Sequence, residues 1–243
     1  MNNMPNWVSN EIHMRNIGIN TKLYNNEGNF DFNSVIPMPE SVLNTIDGSE
    51  TNIAIKLVLY IANQRYYLYS GIESRLFDAT VSDRELILDN SDLLDDIKKY
   101  MNWNNIDFDT AVHELIEKGL QYIGNMCMYQ HPTWYDWACR NWDTKWNASS
   151  TEVLNDNCVR FNTAWNVPEA VLLQLSQIYP YDEIIDNWIE EGGMCGITSF
   201  YNGEKIQDDT YIIDWKSMYD EDGESRNALF AKVVPYQIEQ KED

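Results

Sequence analysis

The chain offers three histidines, His13, His113 and His131, so chemistry that needs a general base beside a Ser, Thr or Cys nucleophile has few places to occur. Cys127 and His131 stand four residues apart, a spacing that would put two metal ligands on one helix face. Pro132 follows directly, however, and no two further ligands lie nearby, so no metal site is expected. Paired carboxylates would serve for acid–base work, but nothing in the spacing singles out two among 39 Asp and Glu. Gly192, Gly193 and Gly196 lie between two expected strands with no helix N-terminus behind them, which argues against a phosphate-cradling loop. No catalytic residue and no cofactor are therefore expected.

The densest unusual chemistry is aromatic. Trp134, Trp137, Trp142 and Trp146 crowd the stretch 134–148. Thr133 followed by Asp136 supplies an N-cap and a first-turn acid, predicting a short helix from Trp134. On that helix Trp134, Ala138 and Trp142 fall at i, i+4 and i+8, the stripe of a buried face. Packing is the first reading, because tryptophan chiefly contributes buried area. The alternative is a ligand pocket in which Trp134, Trp137, Trp146 and Trp165 form walls for a planar, nucleotide-like molecule, with Asp136 and Lys145 as its polar floor. On the packing reading, Lys145 pairs with a carboxylate and Asn147 closes a turn.

Charge points toward a protein partner. The 243 residues hold 17 Lys and Arg against 39 Asp and Glu, a net charge of −22. Such a field repels nucleic acid and anionic membranes and attracts basic surfaces, so direct nucleic-acid binding and membrane association are not expected. Solubility alone is the competing explanation. The partner-binding candidates are Asp92, Asp95 and Asp96 in the helical stretch and Asp208, Asp209, Asp220, Glu221 and Asp222 toward the C-terminus. With 44% hydrophobic and 13% aromatic residues the chain should fold. Cys127, Cys139, Cys158 and Cys195 form no C-x-x-C pair and read as buried free thiols of a reducing cytoplasm. No signal-like or membrane-spanning run is visible, so a cytoplasmic protein is expected.

These side chains need elements to position them. Trp7, Ser9, Glu11 and His13 alternate with Val8, Asn10, Ile12 and Met14, a half-buried strand. From about residue 50 to 124 the period becomes helical, with Ser82–Glu85, Ser91 and Asp109 as expected caps. Strand signals return at 145–153 and 158–165, joined by a turn at 155–157. A helix follows with Pro168 at its start, then strands at 182–190 and 194–201, the latter closed by Asn202-Gly203. Residues 211–215 read as an edge strand. Strand, helix, hairpin, helix, strand is the order of an α+β, ferredoxin-like split βαβ sheet, here with one further strand. The expected organisation is such a domain over 1–203, interrupted by a helical insertion at about 50–124, with an acidic C-terminal extension over 204–243.

Five separated motifs carry a resemblance: Met4-Pro5-Asn6-Trp7; Phe30-Asp31-Phe32-Asn33 with Ile36-Pro37-Met38-Pro39; Trp134-Tyr135-Asp136-Trp137 running to Asn141-Trp142 and Thr144-Lys145-Trp146-Asn147-Ala148; Thr163-Ala164-Trp165; and Glu190-Glu191-Gly192-Gly193. Together they resemble the Api92-like family of proteins with a YubB ferredoxin-like domain, over about residues 4–40 and 124–203. Asp143 stands where that family's pattern has glycine, and Val8 where a cysteine is common. The resemblance implies a protein carried by phages or plasmids and supplies no catalytic residues. Combined with the charge, it leads to the expectation of an interaction protein that inhibits a nucleic-acid-handling host defence enzyme, with imitation of nucleic acid as the narrower form; an enzyme is the less favoured outcome.

Overall fold

The computed structural model describes residues 6–70 and 87–212. Its centre is β1 (Trp7–His13), which pairs antiparallel with β3 (Cys158–Ala164) on one side and β4 (Ile184–Glu190) on the other. With β2 (Ser149–Asn155), β5 (Met194–Tyr201) and β6 (Glu204–Ile212), the six-stranded sheet runs β2-β3-β1-β4-β5-β6. The first four strands have the spatial order of a ferredoxin-like sheet, and β5 and β6 extend it past β4. The fold class is α+β. Residues 204–212, the first part of the expected extension, are a strand paired with β5, because Asn202 (φ 49°) and Gly203 (φ 80°) make the left-handed two-residue turn that returns a hairpin. The described part of this edge strand runs to Ile212; the rest of the expected 211–215 segment, with Asp220, Glu221 and Asp222, lies outside the described residues.

One sheet face is closed by aromatic packing. Phe30 stacks on Phe161 at 5.1 Å, and Phe32 meets Phe161 and Trp142 edge-on at 5.9 and 5.7 Å. All four rings are buried, each such ring removing roughly 150–250 Å² from water. A polar clip holds this layer. Asp31 accepts hydrogen bonds from the Asn33 amide and from Asn147 Nδ2, Asn147 Oδ1 accepts from the Phe32 amide, and Trp142 Nε1 donates to Ile36 O. The strand expected from residue 145 begins only at Ser149, since Asn147 and Thr144, whose Oγ1 donates to Trp146 O, are committed to this turn.

Asp143 explains its own departure from the glycine pattern. Its φ is 62°, the left-handed region that favours glycine. Its carboxylate offsets part of that cost by accepting the Ala170 amide at 2.8 Å, at the start of a helix over Glu169–Ile178. Pro168 precedes that helix, whose Val171, Leu172 and Leu175 are buried.

Contacts divide the chain into a sheet unit (Met1–Pro37 with Ala138–Asp243) and a helical unit (Met38–Trp137). In chain order the helices are α1 (Glu40–Leu43), α2 (Ser49–Ser70), α3 (Ser91–Asn104), α4 (Phe108–Tyr129), α5 (Trp134–Asn141), which spans the boundary, and α6 (Glu169–Ile178). Ala54, Leu57, Leu93, Ile97, Tyr100, Ala111, Leu115 and Tyr122 form the helical core. Gly119 lets α2 and α4 touch, for a Cβ there would stand 2.4 Å from Ala54 O. The caps are Asn90, accepting from the Leu93 amide, and Asp107, accepting from Thr110, rather than the Ser91 and Asp109 that the spacing suggests. Each true cap stands just ahead of its expected residue, where the backbone is still extended. Ser82 and Glu85 lie outside the described residues. The unit reaches beyond 50–124 because Asn125 Nδ2 binds Ser41 O and Pro132 O, and Thr45 Oγ1 accepts the Trp134 amide.

Candidate functional site

The alternation of β1 sends Trp7, Glu11 and His13 to the sheet face opposite Phe161. On β3, Arg160 stands directly across from Glu11 and Cys158 across from His13; on β4, Asn187 is the other neighbour of Glu11. Side chains on one face of adjacent strands meet, and these do. Arg160 Nη2 lies 2.6 Å from Glu11 Oε2, and His13 Nε2 lies 3.0 Å from Glu11 Oε1 and 3.8 Å from Cys158 Sγ. Cys158 and Glu11 are buried, while His13 is half-buried. Burial pushes the Glu11 carboxyl upward, but hydrogen bonds from His13 and Arg160 outweigh it and hold its pKa below the ordinary value. His13 is raised to about 9, first by its contact with Cys158 and then by Glu11, against the opposing effect of burial. Asn187 is 1% exposed, and neither atom of its amide has a partner among the described residues.

A second cluster stands at the other end of β1. From Glu11 to Trp7 the strand covers about 13 Å at roughly 3.3 Å per residue. Trp7 and Trp146 have ring centroids 6.0 Å apart, and Lys145 Nζ lies 4.5 Å from the Trp146 centroid and 4.8 Å from that of Trp165. Trp146 is 37% and Trp165 40% exposed. Trp165 holds φ 75°, a strained conformation for a bulky residue, with its amide donating to Asn6 O at 2.7 Å. The Glu190-Glu191-Gly192-Gly193 turn anchors this end. Asn6 Nδ2 donates to Glu190, the Trp7 amide donates to Glu191 Oε2, and Gly193 supplies a left-handed φ of 92°. Lys145 is thus placed across two indole faces, a cation–π arrangement.

Residues 141–230 match the family described as the ferredoxin-like domain in Api92-like protein. Over that stretch the chain is similar to the Api92-like ferredoxin-like domain. The crystal structure of a protein Api92 from Yersinia pseudotuberculosis is 14% identical, covering 86% of this chain and 98% of that one, with a TM-score of 0.37. No curated protein matches the chain.

Of the expected pocket residues, the sheet unit brings together Trp146, Trp165 and Lys145 and adds Trp7, which the sequence pattern did not single out. Trp134, Trp137 and Asp136 belong to the helical unit, where Trp137 is 5% exposed and acts as core, Trp134 is half-buried and Asp136 is exposed. Four of the five described acidic candidates have partners within the chain. Asp95 pairs with Lys98, Asp96 with Lys56 and Lys99, and Asp208 with Lys205, while Asp209 accepts from Gln207. Asp92 is exposed on the first turn of α3. Cys127 is exposed rather than buried, and Cys139 is half-buried. The Glu11–His13–Cys158–Arg160 cluster was missed because β1 and β3 are far apart in sequence; the one available signal was two ionisable residues at i, i+2 on a strand. No helix among the described residues is long and apolar enough to cross a membrane.

Proposed function

We propose that this is an interaction protein of a phage or plasmid that binds and inhibits a host protein with a basic surface, a nucleic-acid-handling defence enzyme. The observation that carries the reading is the net charge of −22. Pairing among the chain's own groups, as at Asp95, Asp96 and Asp208, redistributes charge but cannot cancel that excess, and a basic partner relieves the remaining repulsion. The whole-chain charge supports the proposal better than any particular face, and nucleic-acid mimicry is its narrowest form. Transformation of cells carrying restriction or CRISPR systems tests it. Expression should raise the survival of targeted DNA by about tenfold or more against at least one system, with purified complexes weakening steeply between about 50 and 300 mM salt. Unchanged survival across the panel would sink it.

A second reading is favoured by the Lys145 geometry. Two half-exposed indoles bridged by an ammonium, with Trp7 beside them, make a platform on which a planar anionic ligand of nucleotide type would stack while its charge meets Lys145. A nucleotide panel should quench tryptophan emission in the wild type and much less in Lys145→Met. If emission and melting temperature respond to no member of the panel, this reading fails.

A further inference from the structure

We propose that Glu11, His13 and Cys158 form a three-ligand site for a divalent cation of the zinc class, with its fourth position open to water or an anionic group. The donor set comes first. Thiolate, imidazole and carboxylate together suit Zn²⁺, whereas Ca²⁺ and Mg²⁺ take oxygen ligands. The spacing agrees. Around a tetrahedral zinc with bonds of about 2.0–2.3 Å, ligand atoms stand roughly 3.3–3.6 Å from one another. Here His13 Nε2 lies 3.0 Å from Glu11 Oε1 and 3.8 Å from Cys158 Sγ, and all three donor atoms fall within 4.8 Å of one another. An ion could be seated by small side-chain rotations.

The same distances argue against a nucleophilic relay. A Cys–His–Glu relay uses one imidazole nitrogen toward the thiol and the other toward the carboxylate. In this chain Nε2 faces both, so the three groups converge on one point instead of forming a line.

The surroundings are built as a metal site's would be. Glu11 and His13 are two residues apart on the central strand and Cys158 sits directly opposite His13, so hydrogen-bonded backbone fixes all three Cα positions. Arg160 holds Glu11 Oε2 at 2.6 Å and leaves Oε1 to the ion, the outer contact that orients a ligating carboxylate. Asn187, directly across from Glu11, is 1% exposed with both amide atoms unpartnered among the described residues. A buried amide without a partner is costly, and a ligand in the open position would satisfy it. This proposal stands apart from the proposed host partner.

The test uses the full chain, stripped with chelator and titrated with Zn²⁺ and Co²⁺. Wild-type protein should retain a single equivalent of zinc after desalting, and Co²⁺ should give tetrahedral visible bands with a thiolate charge-transfer band in the near ultraviolet. Cys158→Ser should lose the charge-transfer band, and His13→Ala should weaken binding by about tenfold or more. Cys127→Ser with Cys139→Ser should change neither, which separates this site from the more accessible thiols. Should a variant misfold, the wild type still decides, because zinc must raise its melting temperature in proportion to occupancy. No stoichiometric binding by wild type, or cobalt spectra that survive Cys158→Ser, would overturn the proposal in favour of a metal-free ionic cluster.

Discussion

Among the described residues, the buried polar atoms without partners lie in the sheet unit and not in the helical unit. In the helical unit Thr45, Thr51, Asn125 and Thr133 are buried, and each has a partner: Val42 O, Ile46 O, Ser41 O and Asp47 respectively. Lys56, Lys98 and Lys99 pair with Asp95 and Asp96 toward the surface, over a core of Leu57, Leu93, Ile97 and Leu115. In the sheet unit Asn10 Oδ1, both oxygens of Asp186, the Asn187 amide and Ser199 Oγ are buried without partners among the described residues. Glu11 and Arg160 form a far less exposed ion pair than Lys98 and Asp95 do. Unanswered polar groups are destabilising, so among the described residues the sheet unit carries a cost that the helical unit does not.

The sharpest way to break that contrast is Arg160→Met. It leaves Glu11 buried beside only His13, and chemical denaturation of chelator-treated protein should show a loss of about 2 kcal/mol, discounted from the larger cost of a fully buried pair because Arg160 is partly exposed. A loss below about 0.5 kcal/mol would place the pair with surface ion pairs.

Asp143→Ala should come next, at about 1–2 kcal/mol, since it removes the cap on the Ala170 amide and leaves a Cβ-bearing residue at φ 62°. Asp143→Gly exchanges the cap for conformational ease and should stay within about 0.5 kcal/mol of wild type. Equal melting curves for the Ala and Gly variants would contradict the backbone argument.

Asp186→Asn should be stabilising by on the order of 1 kcal/mol at neutral pH. Burial raises the Asp186 pKa well above its ordinary 3.8; the Glu11 amide favours the charged form but makes no hydrogen bond with either carboxylate oxygen. The folded state therefore favours the proton, and the associated stability is fully present below about pH 3.8 and is lost as pH rises toward the folded value. The advantage of the asparagine variant must then grow with pH from that point. An advantage independent of pH would mean the carboxylate is not the cause.

The smallest effect belongs to the helical surface. Lys56→Ala removes an exposed partner of Asp96, which keeps Lys99, and should cost no more than about 0.5 kcal/mol in the same denaturation experiment.

What the sequence determined was local. The alternation of Trp7 to Met14, the hairpin signals around residues 155–157 and 202–203, and the helical period of the block ending near Tyr129 each follow from side-chain period and turn chemistry within a few residues. Their order along the chain was enough for the ferredoxin-like arrangement. Cap positions slipped, because Asn90 and Ser91, or Asp107 and Asp109, are chemically equivalent candidates until backbone dihedrals separate them. Only the tertiary structure decided which polar residues meet. Cys158 reaches His13, and Lys145 lies across Trp146 and Trp165, by cross-strand register and by the left-handed turn at Trp165. A one-residue slip would send Cys158 to the opposite face, and pairing over such separations leaves no trace in local spacing.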